Sequence, residues 1–121
     1  MIVHHLEKEN SILNKFIAEI RDESIQKDGL RFRRNIERIG EVLGYELSKS
    51  LSFSTKNIQT PLGEKNINLP NKEIVLCSIL RAGLPLHQGL LNYFDDAENA
   101  FISAYRKQSK IIVEYFAALS L

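Results

Sequence analysis

One cysteine, three prolines and six glycines stand among 121 residues, and no charge dominates. Each scarcity excludes something. The lone thiol, Cys77, cannot close an internal disulfide, so a stapled secreted scaffold is excluded and a reducing compartment is expected, with cytoplasm as the default. The low Pro and Gly content rules out a collagen-like or low-complexity chain. Sixteen basic against fifteen acidic side chains give a net charge of +1. Proteins that grip a nucleic-acid backbone usually carry a clearer basic excess, so nucleic acid is not an expected partner. The apolar runs all fall well short of the roughly 18 residues of a membrane span, so no membrane association is expected. The N-terminus has no basic start leading into an apolar stretch, as a secretory signal would.

Several chemical signatures are also missing. There is no Gly-rich loop of the P-loop or dinucleotide type, no Cys/His spacing of a metal site and no arguable Ser/His/Asp triad. His4-His5 reads as an exposed pair. His87 reads as a surface or interface histidine, and Cys77, inside an apolar strand, as an inert core residue.

What remains is a chain 44% apolar and 26% charged, enough to offset the ordering entropy of one domain. Over residues 11 to 22, Ile12, Leu13, Phe16, Ile17 and Ile20 form a stripe at helical period, with Asn10 or Ser11 as its cap. Asp28 can cap a second helix running to about Leu51. Gly40 and Gly44 lie inside it, where each costs on the order of 1 kcal/mol relative to Ala, so another backbone is expected to approach closely there. Phe53 to Pro61 and Lys65 to Leu69 read as a hairpin with a four-residue connection at Pro61-Leu62-Gly63-Glu64. Ile74 to Leu80 is a continuous apolar run, as in a strand buried on both faces of a parallel sheet. A short helix from Leu84 to Phe94, a strand from Ala100 to Tyr105 and a third from Ile111 to Phe116 complete a βαβ unit and its neighbour. The fold class is therefore α/β: an N-terminal helical pair (1–51), a β-hairpin (52–70) and a partial parallel sheet (71–121).

One feature can carry chemistry. An apolar strand ends on Arg81, two minimal side chains follow in Ala82 and Gly83, and a helix begins at once. Ligands of open α/β sheets bind outside the carboxyl ends of the strands. A helix N-terminus there presents free N–H groups to an anion, and a guanidinium can hold a phosphate bidentately. The next strand also ends on cations, Tyr105-Arg106-Lys107, which brings Arg81 and Arg106 to one sheet edge. By this pattern the arginines either bind an anion or pair with surface carboxylates.

Ser78-Ile79-Leu80-Arg81-Ala82-Gly83-Leu84, Gly89-Leu90-Leu91, Tyr105-Arg106 and Glu114-Tyr115-Phe116 together resemble the first half of the uracil phosphoribosyltransferase family. Arg31-Phe32-Arg33-Arg34 and the Thr60-Pro61-Leu62-Gly63 turn agree. The resemblance spans essentially the whole chain. It implies a type I phosphoribosyltransferase core of Rossmann-like kind, acting in pyrimidine salvage. Such an enzyme transfers phosphoribosyl from 5-phosphoribosyl 1-diphosphate (PRPP) to uracil with Mg²⁺, yielding uridine monophosphate (UMP) and diphosphate. On this resemblance Arg81, Ala82 and Gly83 hold the PRPP diphosphate, and Arg106, at the base of a shortened flap, neutralises the same leaving group. It also implies a homo-oligomer and room for a GTP effector. The family's Thr-Gly-Gly ribose-phosphate loop and its uracil-reading segment have no counterpart in these 121 residues. The chain is accordingly expected to hold only the N-terminal half of the domain and to be inactive and association-prone by itself.

Two alternatives belong to other classes. Lys27 to Arg38 carries five basic and two acidic residues, with Arg31, Arg34 and Arg38 on one helix face. That face suits an effector or interface site, or an RNA- or nucleotide-binding regulatory relative of the fold. Glu37 and Glu41 can instead pair along the same helix and leave it a solvated face. The other alternative is a non-catalytic subunit that keeps only the diphosphate corner and its assembly surfaces.

Overall fold

The computed structural model describes residues 1–71 and 74–118. Residues 119–121, assigned above to the core unit, lie outside the described residues. After a 3₁₀ turn at Leu6–Lys8 come α1 (Leu13–Arg21) and α2 (Gly29–Ser48). The hairpin β1 (Phe53–Thr60) and β2 (Gly63–Pro70) follows. Then come β3 (Val75–Leu80), α3 (Leu84–Leu91), β4 (Glu98–Lys107) and β5 (Lys110–Ala118).

Asp28 caps α2 as the sequence predicts, while α1 has Ile12, not Asn10 or Ser11, at its N-cap position. Ser11 Oγ accepts from the Leu13 N–H at 3.2 Å, and Asp28 Oδ1 accepts from the Arg31 N–H at 3.1 Å. Each gives a partner to a first-turn donor that the helix leaves open. α1 and α2 meet through a polar joint as well as the apolar stripe. Asn35 is fully buried. Its Nδ2 donates to Glu19 at 2.7 Å and its Oδ1 accepts from Arg38 at 3.0 Å. Arg31 reaches the same Glu19 carboxylate at 3.4 Å, and the Arg38 guanidinium lies 5.5 Å over the Phe16 ring.

Of the two glycines expected to meet another backbone, Gly40 does, that of α3, and Gly44 does not. A Cβ on Gly40 would stand 2.6 Å from the Leu86 carbonyl oxygen and 3.2 Å from Gly89 Cα, and one on Gly89 would overlap the Glu37 carbonyl oxygen. The two helices thus touch along their main chains at a pair of glycines. Gly44 faces only the side chains of Leu90, Phe94 and Tyr93.

β3 and β4 pair in parallel, as expected for a βαβ unit, with Leu76 opposite Asn99 and Leu80 opposite Ser103. The third strand, β5, returns antiparallel on β4, so the sheet is mixed, in the order β3-β4-β5. The connection after Arg106 is no flap in this structure. It is a tight turn with Gln108 and Ser109 both at positive φ, 49° and 65°, the conformation that matches the twist of a two-residue hairpin.

Three further expectations change. The β1–β2 connection is two residues long, not four, because Thr60 pairs with Gly63. There Gly63 adopts φ 128°, and Thr60 Oγ1 donates to its carbonyl at 2.6 Å. β3 is not buried on both faces: Leu76 is buried against Phe94 and Ala97, while Val75 and Ile79 are each 58% exposed. α3 covers one face, and none of the described elements covers the other. Cys77 points to that open face and is exposed, so it is not a core residue.

Two outcomes follow from this packing. Gly89→Ala should destabilise the chain by about 1–3 kcal/mol, the cost of overpacking a tight contact. Gly44→Ala, which meets only movable side chains and gains helix propensity, should stay within about 1 kcal/mol of the original. Denaturant unfolding of the two variants makes the comparison. The second outcome concerns acid. The Asn35 amide first, and Arg31 after it, hold the Glu19 carboxyl below the ordinary glutamate range, with burial opposing them. A lowered folded value means stabilisation that is complete above the unfolded value, about 4.3, and lost as pH falls through the folded one. Glu19→Gln should therefore flatten the pH dependence of stability below about pH 4.3, measured as unfolding midpoints along an acid series.

Candidate functional site: the β3–α3 loop and the sheet edge

The loop that leaves β3 is short and internally tied. The Gly83 N–H donates to the Ile79 carbonyl at 2.9 Å, the Leu84 N–H to Arg81 at 3.1 Å, and the His87 N–H to Gly83 at 2.9 Å. A Cβ at position 83 would stand 2.6 Å from the Ile79 carbonyl oxygen. Glycine is therefore required here by the returning strand. This corrects one detail of the sequence reading: the Gly83 N–H is spent inside the loop and is not free for an anion. The Ala82 N–H has no backbone partner among the described residues. The Leu80–Arg81 peptide bond is cis, and Pro85 occupies the first turn of α3.

Arg81 and Arg106 are both exposed. Neither guanidinium makes a hydrogen bond or an ion pair among the described residues, so no surface carboxylate holds either of them there. β3 and β4 run parallel with Leu80 opposite Ser103, and Arg106 lies three residues beyond that partner. Both cations thus leave the sheet at its carboxyl edge. Such an edge can take up a multiply charged anion with forked N–H donors and one main-chain donor.

The Arg31–Arg38 face is differently placed. Arg31 is held by Glu19 and Asp28, Arg34 by Glu37 at 3.2 Å, and Arg38 by Asn35 and the Phe16 ring. All three have partners within the chain and remain exposed. Arg33 remains without a partner among the described residues and lines a groove of about 720 Å³ with Leu30, Leu84, Pro85 and Phe101.

Sequence reasoning missed His87. It is no surface histidine: only 3% of it is exposed. Nδ1 lies 2.6 Å from Ser78 Oγ, Nε2 lies 2.7 Å from Asn99 Oδ1, and the ring packs on Phe101 with centroids 4.9 Å apart. Asn99 Nδ2 donates to the Ala97 carbonyl at 3.3 Å, which turns its Oδ1 toward the ring. Nε2 therefore carries a proton. The available signal was the alternation of β3, which puts Ser78 on the same face as Leu76, toward α3.

Comparisons with known proteins agree with this architecture. The family model described as uracil phosphoribosyltransferase matches residues 7–120. A uracil phosphoribosyltransferase of Porphyromonas gingivalis is 54% identical, covering 98% of this chain and 57% of that protein. One of Sulfolobus acidocaldarius is 36% identical, covering 86% of this chain and 49% of its own length. The chain thus spans about half the length of the curated relatives it matches. The solved structure of the AQ2163 protein from Aquifex aeolicus has the same fold, with a TM-score of 0.78 at 24% identity, over 100% of this chain and 56% of that one.

Proposed function

We propose, since this chain belongs to the uracil phosphoribosyltransferase family, that it supplies the diphosphate-binding part of an enzyme that transfers phosphoribosyl from PRPP to uracil. The products are UMP and diphosphate, and the reaction serves pyrimidine salvage. The observation that carries this reading is the pair of guanidinium groups, Arg81 and Arg106, that have no partner among the described residues and lie at one edge of a parallel strand pair. Breaking the bond at the anomeric carbon sends negative charge onto the departing diphosphate and leaves an oxocarbenium-like sugar. Donors fixed before the reaction, aimed where that charge develops, lower the barrier. Arg81 and the Ala82 N–H would hold the diphosphate, and Arg106 would neutralise it from the neighbouring strand.

Mg²⁺ enters as an ion carried by the PRPP oxygens. Among the described residues no three His, Cys, Asp or Glu side chains gather around one point. Residues 1–121 are read as part of a single domain, and the remaining length of the relatives would supply the 5-phosphate loop and the uracil contacts. A GTP effector finds little support in Arg31, Arg34 and Arg38, which have partners within the chain. The setting is taken as cytoplasmic on the strength of the single cysteine. Among the described residues no helix is long and apolar enough to cross a membrane.

A homo-oligomer is part of the proposal. β1 and β2 form a separate two-stranded ribbon, exposed along nearly all of its length. Such ribbons are marginal in water unless they pack on something. A second copy of the chain is the occupant we favour.

Two measurements test the reading. Arg81→Ala should weaken binding of inorganic diphosphate by about 1.5–3 kcal/mol, the scale of hydrogen bonds to charged groups. The fold should stay intact because the side chain is exposed. Unchanged affinity would reject the assignment of Arg81. For activity, radiolabelled uracil, PRPP and Mg²⁺ are given to the 121 residues, and to the same residues joined to the rest of the Porphyromonas gingivalis relative. UMP is expected only from the joined protein. Its absence there rejects the reading, and turnover by the 121 residues alone would show that they hold more than the diphosphate end.

A further inference from the structure

His87 is a buried polar group with no place in the chemistry just described, yet it spans the loop that has one. Ser78 lies on β3, three residues before Arg81. His87 lies on α3, four residues after Gly83, and Asn99 lies on β4, the strand that carries Arg106. The chain from Ser78 Oγ to His87 Nδ1 (2.6 Å) and from His87 Nε2 to Asn99 Oδ1 (2.7 Å) links all three elements beneath the loop. No buried side-chain nitrogen or oxygen among the described residues is left without a partner, so the network is complete. Completed buried networks fix one arrangement of their elements, because any shift leaves a desolvated group unpaired.

We infer that His87 is a positioning residue: through Ser78 in β3 and Asn99 near the start of β4 it sets α3 against the two paired strands, and so fixes the Arg81–Gly83 loop, which runs into the first turn of that helix, relative to the sheet that carries Arg106. This rests on the diphosphate reading of that loop. α3 is held independently on its far side by the Gly40–Gly89 contact with α2. Removing the imidazole therefore frees the sheet side of the helix while the helical layer stays seated. The anion would then meet two arginines whose spacing is no longer set in advance. Misplacement of about 1 Å at a preorganised site costs up to about a hundredfold.

The test uses the full 121-residue chain and inorganic diphosphate with Mg²⁺, followed by amide NMR shifts so that weak binding is still measured. His87→Phe keeps an aromatic ring against Phe101 but removes both hydrogen bonds. Ser78→Ala removes one bond with a smaller disturbance, and it decides the matter should His87→Phe fail to fold. Arg81→Ala is the reference. At temperatures where each variant is fully folded, loss of stability by itself does not change affinity, so a change reports on the site. The expected result is a loss of about tenfold for His87→Phe and a smaller loss for Ser78→Ala. Adding His87→Phe to Arg81→Ala should cost little more than Arg81→Ala does, since both act on one contact. If Arg81→Ala weakens binding while Ser78→Ala and His87→Phe do not, the positioning role is overturned and the diphosphate reading stands. If Arg81→Ala leaves affinity unchanged, or the unaltered chain shows no shifts with diphosphate, both fall.

Discussion

The contact on which the rest of this structure depends is between two main chains. Gly40 of α2 and Gly89 of α3 bring their helices together at a distance where any side chain would collide with a carbonyl oxygen. That contact seats α3, a helix of only eight residues, which is too short to be stable by itself. From that seat α3 covers one face of the sheet and closes the small core around Leu76, Phe94 and Ala97. It also sets where its own first turn, and the loop before it, can lie. The propensity cost of Gly40 inside a long helix is thus offset by the placement of another element.

The anion-binding edge combines tied and untied groups. The loop backbone is closed on itself by the Gly83 and Leu84 N–H bonds, while the guanidinium groups of Arg81 and Arg106 have no partner among the described residues. The opposite holds for the cationic face of α2, where Arg31, Arg34 and Arg38 are all taken up by carboxylates, an amide or a ring. Two clusters that look equally basic in sequence differ in what they leave available. A surface ion pair contributes little stability, but a ligand that takes one of these cations must compete with the partner already there.

Much of this was legible beforehand. Helical periodicity and the Asp28 cap placed α1 and α2, and the glycine spacing announced a close backbone approach. The strand–Arg–small–small–helix pattern located the loop. What escaped depended on contacts between distant segments. A continuous apolar run does not say whether one face or two will be covered, and α3 covers only one, so Cys77 and Ile79 stay exposed. Two of the partners of Arg31 and Arg38, Glu19 and Phe16, come from α1, across the helical joint. His87 has no charged neighbour in sequence to mark it; Ser78 and Asn99 reach it only once β3 and β4 pair in parallel and α3 folds back over them. The pairing direction of β5 was hidden for a different reason: Gln108 and Ser109 are not the Asn-Gly type of residue that announces a tight turn.

The Ser78–His87–Asn99 chain has one more property, which comes from the residue at its end. Asn99 Oδ1 can only accept, so one ring proton is always committed to it. Nδ1 is then left to accept, and the Ser78 hydroxyl donates to it. The chain therefore has a direction, running from β3 through α3 to β4: Ser78 gives a hydrogen to the ring, the ring gives one to Asn99, and Asn99 gives one to the Ala97 carbonyl. Reversing any one link would turn two donors or two acceptors toward each other. Each of the three positions thus tolerates a change of size more readily than an exchange of donor for acceptor.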